Sequence, residues 1–450
     1  MAVADTIYAL STPWGMSGVA VVRVSGPGAL TGLTQISGRP DLAARQAHLL
    51  RLMDPADQHL IDQALVLAFP APHSFTGEDV VEYQIHGGVA VINDMLRVLS
   101  TLPGYRMALP GEFTRRGFEN GKMDLTEAEA IGDLIHAETE AQKKQALSQM
   151  EGSLSKLYDE WAQRLVRSLA HLEADLDFPD EDLPEGVAHA VTPVLQTFIK
   201  DLDEHLNDNR RGERLRDGIH VAVIGAPNAG KSSLVNALAQ RDVAIVSEHA
   251  GTTRDIIEAH LNVGGFPVIL SDTAGLRPDQ IGTQGQDSIE GEGIRRALQR
   301  AESADIRVLV FDASLLPELD QHTTKLIREN TIIVFNKADQ YKGDIPSVMC
   351  HVPVVISVKD DKGIDQLTHA LLVMIREMIG TRETPSLTRE RHRTALQECK
   401  TSLLRALNAP LPELMAEDVR LAMRALGRIT GRVDVEDLLD VIFRDFCIGK

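Results

Sequence analysis

The octapeptide Gly225-Ala226-Pro227-Asn228-Ala229-Gly230-Lys231-Ser232 constrains what this chain can fold into more than any other stretch. It fits the pattern G-x-x-x-x-G-K-S/T, and its surroundings fit as well. An apolar run over residues 219–224 precedes it, and a helix-forming run over 233–240 begins at Ser233. The order predicts a strand, a glycine-rich turn and a helix, so that backbone N–H groups and the helix N-terminus surround phosphate oxygens. Lys231 is then placed to reach the β- and γ-phosphates, and the Ser232 hydroxyl to bind magnesium. Asn228 lies beside the phosphates, or serves simply as a turn residue after Pro227.

Two more motifs follow in the order a GTP site needs. Asp272-Thr273-Ala274-Gly275 closes an apolar run over 267–270, where an aspartate can hold magnesium from its second side and Gly275 leaves an N–H for the γ-phosphate. Asn336-Lys337-Ala338-Asp339 closes the run 331–335. The Asp339 carboxylate can accept hydrogen bonds from guanine N1–H and its exocyclic amine, which adenine lacks, and such polar sites discriminate strongly. Between them, Gly251-Thr252-Thr253-Arg254-Asp255 supplies a threonine of the kind that completes a magnesium shell with GTP and lets go after hydrolysis. Ser357-Val358-Lys359 occupies the place of the last guanine-contacting loop, a loose match. After the DTAG motif stands Leu276, where a water-orienting glutamine is usual. Either hydrolysis is very slow or another residue enters the site.

At 450 residues the chain has room for two or three domains. Its 43% hydrophobic and 25% charged content is that of a soluble globular protein. No apolar run is long enough to cross a membrane, the first residues carry no secretory pattern, and three cysteines are too scattered for a disulfide frame or zinc site. A reducing cytoplasm is the expected home. Fifteen histidines show no metal-ligand spacing and read as surface and loop residues. The net charge of −19 argues against broad nucleic-acid binding, so any RNA contact must use a local patch or a partner subunit.

The expected fold class is multidomain, with mixed α/β and all-α parts. Residues 1–120 read as α/β, with strands near 18–24, 64–69 and 80–85 and a helix over 90–100. Residues 121–215 read as the first half of a helical domain, with one run over 125–149 and others over 154–176 and 192–206. A charged hinge over 210–214 leads to a Ras-like GTPase domain at 216–380, and 381–450 read as the second helical half. The GTPase domain is thus expected as an insertion in a helical domain.

The motifs outside the switch segment resemble one family, the tRNA-modification GTPases called MnmE or TrmE. They comprise Asp5-Thr6-Ile7, Phe75-Thr76-Gly77-Glu78-Asp79-Val80, His86-Gly87-Gly88 and Pro110-Gly111-Glu112-Phe113. Asp124-Leu125-Thr126-Glu127-Ala128-Glu129-Ala130-Ile131 and the terminal Phe446-Cys447-Ile448-Gly449-Lys450 complete the resemblance, which spans nearly the whole chain.

The resemblance implies a GTPase activated by potassium-aided dimerisation of its G domains. By residue match Asn228 is a potassium ligand, with the carbonyls of Ser247 and His249 and with Thr252 nearby. The segment Ser247-Glu248-His249-Ala250-Gly251-Thr252-Thr253 belongs to the nucleotide site, with Thr253 on magnesium. A cation against the phosphates offsets charge in the transition state, which fits the missing glutamine. The water-positioning acid matches Glu290, with Glu292 close behind. The resemblance also implies that the N-terminal domain dimerises and binds a 5,10-methylene- or 5-formyl-tetrahydrofolate through Arg23, Glu82, Lys122 and Lys450. Cys447 stands beside that site as a candidate nucleophile. The implied reaction adds an aminomethyl-type group at C5 of a tRNA wobble uridine. The implied partner is the FAD-dependent subunit MnmG (GidA), in a heterotetramer-type complex of homodimers. A ribosome-assembly GTPase of the Era or Der type is one alternative, which the acidic helical flanks oppose. A one-carbon transferase with a regulatory GTPase domain is the other.

Overall fold

The computed structural model describes residues 5–177, 187–241, 258–272, 303–348, 352–380, 385–433, 436–444 and 446–449. The chain divides into two units. One comprises Met1–Gly132, Met150–Glu173 and Glu413–Lys450; the other Asp133–Gln149 and Ala174–Pro412. Among the described residues no helix is long and apolar enough to cross a membrane.

In the first unit six strands form one sheet. These are β1 (Thr6–Leu10), β2 (Ser17–Ser25), β3 (His48–Met53), β4 (Leu60–Phe69), β5 (Val80–Gly87) and β6 (Tyr105–Met107), in spatial order β3-β4-β5-β2-β1-β6. Alternating side chains send Val22, Val24, Val66, Tyr83 and Ile85 to one face. There they meet Leu33 and Ile36 of α1 (Ala29–Ser37) and Ile92, Met95 and Leu99 of α2 (Val89–Thr101). The i, i+3, i+7 spacing of the α2 residues puts them on one stripe. The opposite face carries Ile7 and Ala9 against Phe113 of α3 (Glu112–Glu119). The helices α4 (Leu125–Ile135) and α6 (Ser153–Asp177) follow in sequence.

The second unit holds α5 (Glu140–Met150), α7 (Val187–Leu206), α8 (Arg211–Asp217) and a second sheet. Its strands are β7 (Ile219–Gly225), β8 (Glu258–Val263), β9 (Phe266–Asp272), β10 (Ile306–Asp312), β11 (Thr331–Asn336) and β12 (Val354–Val355), in order β12-β11-β10-β7-β9-β8. All neighbours are parallel except β8 and β9, which form a hairpin. Central strands read as unbroken apolar runs because both faces are covered, as parallel sheets require. Leu234, Val235 and Leu238 of α9 (Lys231–Gln240) cover one face with Ile364, Leu367, Leu371 and Ile375 of the later helix Ile364–Ile379. With the short helix Gln321–Thr324 counted as α10, that helix is α11, followed by α12 (Glu390–Leu407), which packs along α7. The chain returns to the first unit through α13 (Pro412–Thr430) and α14 (Glu436–Arg444).

Two expectations change. The single helical run over 125–149 is two helices, α4 and α5. Thr139 N–H donates to Gln142 Oε1 at 3.1 Å while Gln142 N–H donates to Thr139 Oγ1 at 3.4 Å, a reciprocal cap that starts a new helix. The charged hinge at 210–214 is the start of α8, with Arg211, Gly212 and Glu213 buried. Gly212 permits this, since a Cβ there would lie 2.2 Å from the Leu387 carbonyl oxygen.

The α5 face toward α8 is polar. Gln142 Nε2 donates to the Arg216 carbonyl at 3.0 Å, Gln145 Nε2 to the Gly212 carbonyl at 3.1 Å and Gln149 Nε2 to Thr388 Oγ1 at 2.8 Å. At the N-terminal end of α5, Ala141 N–H donates at 3.1 Å to the carbonyl of Gly265, at the tip of the β8–β9 hairpin.

Candidate functional site

The nucleotide motifs converge at the C-terminal ends of β7, β9, β10 and β11. β7 delivers Gly225 and α9 starts at Lys231, with Gly230 in a left-handed cap (φ 92°). Asn228 is exposed and also left-handed at φ 62°, a conformation asparagine tolerates better than most residues. A Cβ on Gly225 would lie 2.2 Å from the Val310 carbonyl oxygen, so the strand end can pass this close to β10 only as glycine. Lys231 Nζ donates at 2.9 Å to the carbonyls of Gly225 and Ala226, folding the ammonium back over the loop. Ser232 and Ser233 are exposed in the first turn of α9, the end that favours anions. Asp272 ends β9 and lies opposite Val223 of β7, one strand from the phosphate loop.

The guanine motif is tied directly to that loop. Asn336 is buried, donates from Nδ2 to the Ala229 carbonyl at 2.9 Å and accepts from Val358 N–H at 3.3 Å. Gly230 must be glycine here, since a Cβ would lie 2.1 Å from Asn336 Nδ2. The loosely matching loop contacts Asp339 directly. Buried Ser357 donates from Oγ to Asp339 Oδ1 at 2.9 Å and accepts from Asp360 N–H at 3.2 Å, while Asp339 and Lys359 face solvent. Lys337 sits at φ 61° with Nζ 2.6 Å from Asp312 Oδ2. Burial works against the Asp312 charge, yet Lys337 and Ser314 hold its carboxyl below the usual range. The motifs on their own gave no sign of Asp312. Its position, ending a strand parallel to the one that carries the guanine motif, was the available signal.

Ser247, Glu248, His249, Ala250, Gly251, Thr252, Thr253, Thr273, Ala274, Gly275, Leu276, Glu290, Glu292, Cys350 and Lys450 lie outside the described residues.

In the first unit, Arg23 and Glu82 are cross-strand neighbours on β2 and β5. Arg23 Nη2 lies 2.8 Å from Glu82 Oε1, and the guanidinium lies 5.5 Å from the Phe75 ring centroid and 5.8 Å from that of Phe113. A guanidinium and a carboxylate thus stand side by side over aromatic rings, partly open to solvent. Lys122 reaches the loop that carries Phe75, its Nζ donating to the Pro72 carbonyl at 2.8 Å. The C-terminal tail arrives beside β1. Ser11 Oγ donates to the Gly449 carbonyl at 3.0 Å, Ile448 pairs with Pro110, and Cys447 is exposed with its carbonyl 3.4 Å from Gly111 N.

The N-terminal signature acids do something the sequence did not reveal. Asp5, Glu78 and Glu112 all converge on Arg116. Its Nη2 donates to Asp5 Oδ1 at 2.7 Å and Glu112 Oε1 at 3.1 Å, and its Nη1 to Glu78 Oε2 at 3.1 Å. Arg106 adds bonds to Asp5 and, at 2.8 Å, to Glu112 Oε2. Burial opposes the charge of Asp5, but both arginines hold its carboxyl below the ordinary range. Arg116 and its three acids line a cavity of about 580 Å³ together with Arg115, Asn120 and Phe443.

Two histidines depart from the surface reading. His392 is fully buried in α12, and His205 is half-buried, with loss of solvation pushing its pKa down to about 4. Among the described residues Asp54, Asp57 and His59 lie close enough to share a cation. However, both ring nitrogens of His59 are already engaged, by Asp57 and Asp94 at 2.7 Å each.

The family described as the MnmE helical domain matches residues 125–447, and the one described as the GTP-binding protein TrmE N-terminus matches residues 6–122. A tRNA modification GTPase MnmE from Parvibaculum lavamentivorans is 52% identical over 450 residues, covering 99% of this chain and 100% of its own length. The protein of the same name from Paramagnetospirillum magneticum is 50% identical over 447 residues, covering 99% and 100%. A mitochondrial 5-taurinomethyluridine tRNA synthase subunit from Danio rerio is 45% identical over 473 residues, covering 99% and 93%.

Proposed function

The chain belongs to the tRNA modification GTPase MnmE family, and from that premise we propose that it hydrolyses GTP to drive C5 modification of a tRNA wobble uridine. The observation that carries this reading is the tie between the phosphate loop and the guanine motif, Asn336 to Ala229 at 2.9 Å with Ser357 on Asp339 at 2.9 Å. That tie supports a reading in which the loop is held for triphosphate and the aspartate for guanine at neighbouring strand ends.

In this reading Lys231 leaves the Gly225 and Ala226 carbonyls for the β- and γ-phosphates, and Ala229 and Gly230 present backbone N–H groups to them. Ser232, Asp272 and Thr253 would hold magnesium, which supplies charge neutralisation at the phosphates. The exposed left-handed Asn228 suits a potassium ligand, completed by Ser247, His249 and Thr252 when two G domains meet. Glu290 would orient the attacking water, a task Leu276 cannot perform.

The N-terminal cluster suits a tetrahydrofolate bearing a one-carbon unit. Glu82 accepts and Arg23 donates at adjacent positions, which matches the hydrogen-bonding edge of a pterin, with Phe75 and Phe113 beside them. Lys122 and Lys450 supply positive charge for a glutamate tail, and Cys447 stands exposed near the tail's entry to this site. The FAD-dependent partner MnmG supplies redox chemistry, since this chain carries no dinucleotide fingerprint after a strand.

The test is mass spectrometry of nucleosides from bulk tRNA of cells lacking the gene, rescued with the unmutated chain or with Lys231→Ala. Loss of C5-modified wobble uridine, restored only by the unmutated chain, is expected. Persistence of the modification without the gene overturns the reading and turns attention to ribosomal subunit profiles.

A further inference from the structure

With a net charge of −19, any contact this chain itself makes with the tRNA phosphate backbone needs a local basic patch. In α13 (Pro412–Thr430) arginines recur every four residues, at Arg420, Arg424 and Arg428, and Arg432 continues the series just past the helix end. Each step of four advances ~6 Å along the axis and only ~40° around it, so the three helical arginines form a slowly winding stripe. Arg432 is fixed in place by the helix stop. Gly431 is left-handed at φ 83°, and Arg432 N–H donates back to the Gly427 carbonyl at 2.9 Å, the bond of a glycine-terminated helix.

Neighbouring acids orient the two ends of the stripe. Arg420 Nη2 donates to Glu173 at 2.7 Å and Arg432 Nη2 to Asp159 at 2.7 Å, both acids on α6, which therefore runs antiparallel beside α13. The arginine at 428 lies in the last turn, where a cation complements the helix dipole. Neither account covers Arg424. It is exposed in the middle of the helix and, among the described residues, makes no ion pair or hydrogen bond. Arg167, also exposed, lies on α6 between the two anchoring acids.

We propose that the stripe Arg420-Arg424-Arg428-Arg432 is an RNA-docking surface that tracks the phosphates of the tRNA backbone. Guanidinium groups grip phosphate in a bidentate way that ammonium groups do not, and all four positions of the stripe are arginine. The regular ~6 Å pitch is of the same order as the spacing of phosphates along one strand. The proposal rests on the tRNA reading above and adds where this chain touches the RNA.

The experiment measures binding of an unmodified tRNA transcript to the full-length chain by fluorescence anisotropy between 50 and 200 mM salt, the range over which phosphate contacts weaken steeply. The variants are Arg424→Gln and the double Arg424→Gln/Arg432→Gln. The slope of log K against log salt should become shallower by roughly 0.7–0.9 for each phosphate contact removed. Arg424→Gln should leave the melting temperature unchanged, because it breaks no contact. An unchanged slope in both variants overturns the proposal, as does an unmutated chain that retains no tRNA at 50 mM salt. Variants that bind tRNA normally but fail to capture the flavoprotein overturn it in favour of protein docking. The nucleoside assay separates the two readings: wobble modification lost without the gene, together with an unchanged salt slope, refutes the stripe alone.

Discussion

Replacing Ser357 with alanine tests the proposed reading of guanine by Asp339. Ser357 Oγ is the donor to Asp339 Oδ1 at 2.9 Å, and it sits buried beneath an aspartate that itself faces solvent. A hydrogen bond to a charged group contributes ~1.5–3 kcal/mol. Water can replace part of it at an exposed carboxylate, leaving roughly 1–2 kcal/mol for holding Asp339 in its base-reading rotamer. That corresponds to about 5- to 30-fold weaker binding. GTP and GDP should weaken equally, because the contact concerns the base and not the γ-phosphate. Titration with fluorescent guanine nucleotides measures both. Asp339→Asn should shift preference toward xanthosine triphosphate, whose carbonyl replaces the amine as partner. In that background Ser357→Ala should cost far less, since its effect runs through the carboxylate. Affinities within twofold of the unmutated chain, or a full cost retained beside Asp339→Asn, would refute the reasoning.

Asn228→Ala should abolish any excess of GTP hydrolysis in potassium over sodium while leaving GTP affinity within a few-fold; equal rates in both salts for the unmutated chain would sink the potassium role. Arg116→Met should destabilise the first unit by about 3–5 kcal/mol in denaturant, because three carboxylates lose the cation between them. His205, lowered from 6.5 to about 4 mainly by burial, stays neutral in the folded chain where the unfolded chain takes up a proton. Its contribution to stability is complete above 6.5 and is lost as pH falls through about 4, by up to ~1.4 kcal/mol per unit. Urea unfolding at pH 7 and pH 5 should show a drop that His205→Gln removes; an equal drop in both proteins contradicts it.

The elements around the nucleotide motifs were legible because parallel strands advertise themselves as apolar runs and the loops carry fixed chemistry. The expected strand over 219–224 is β7 to within one residue, and the helix expected from Ser233 starts at Lys231, two residues inside the motif. The break between α4 and α5 was also written in the sequence, as Thr139 and Gln142 at capping-box spacing, but it was masked by an Ala- and Glu-rich stretch that favours helix on both sides. The charged run at 210–214 reads as a hinge because charge composition cannot reveal a partner 180 residues away, such as Arg393 on Glu213. Arg116 stayed hidden for the same reason. Its three acids are separated by up to 107 residues and only the sheet brings them together.

The glutamine seam along α5 has a mechanical consequence. An apolar seam of similar length would resist separation by ~25 cal/mol for each Å² and would leave a sticky stripe once parted. The three glutamine amides, two on backbone carbonyls and one on the Thr388 hydroxyl, would exchange their partners for water at about 0.5–1.5 kcal/mol each. Such a joint has little apolar surface holding it shut. A polar seam of this kind, if parted, would present amides and carbonyls to water in place of a sticky apolar stripe.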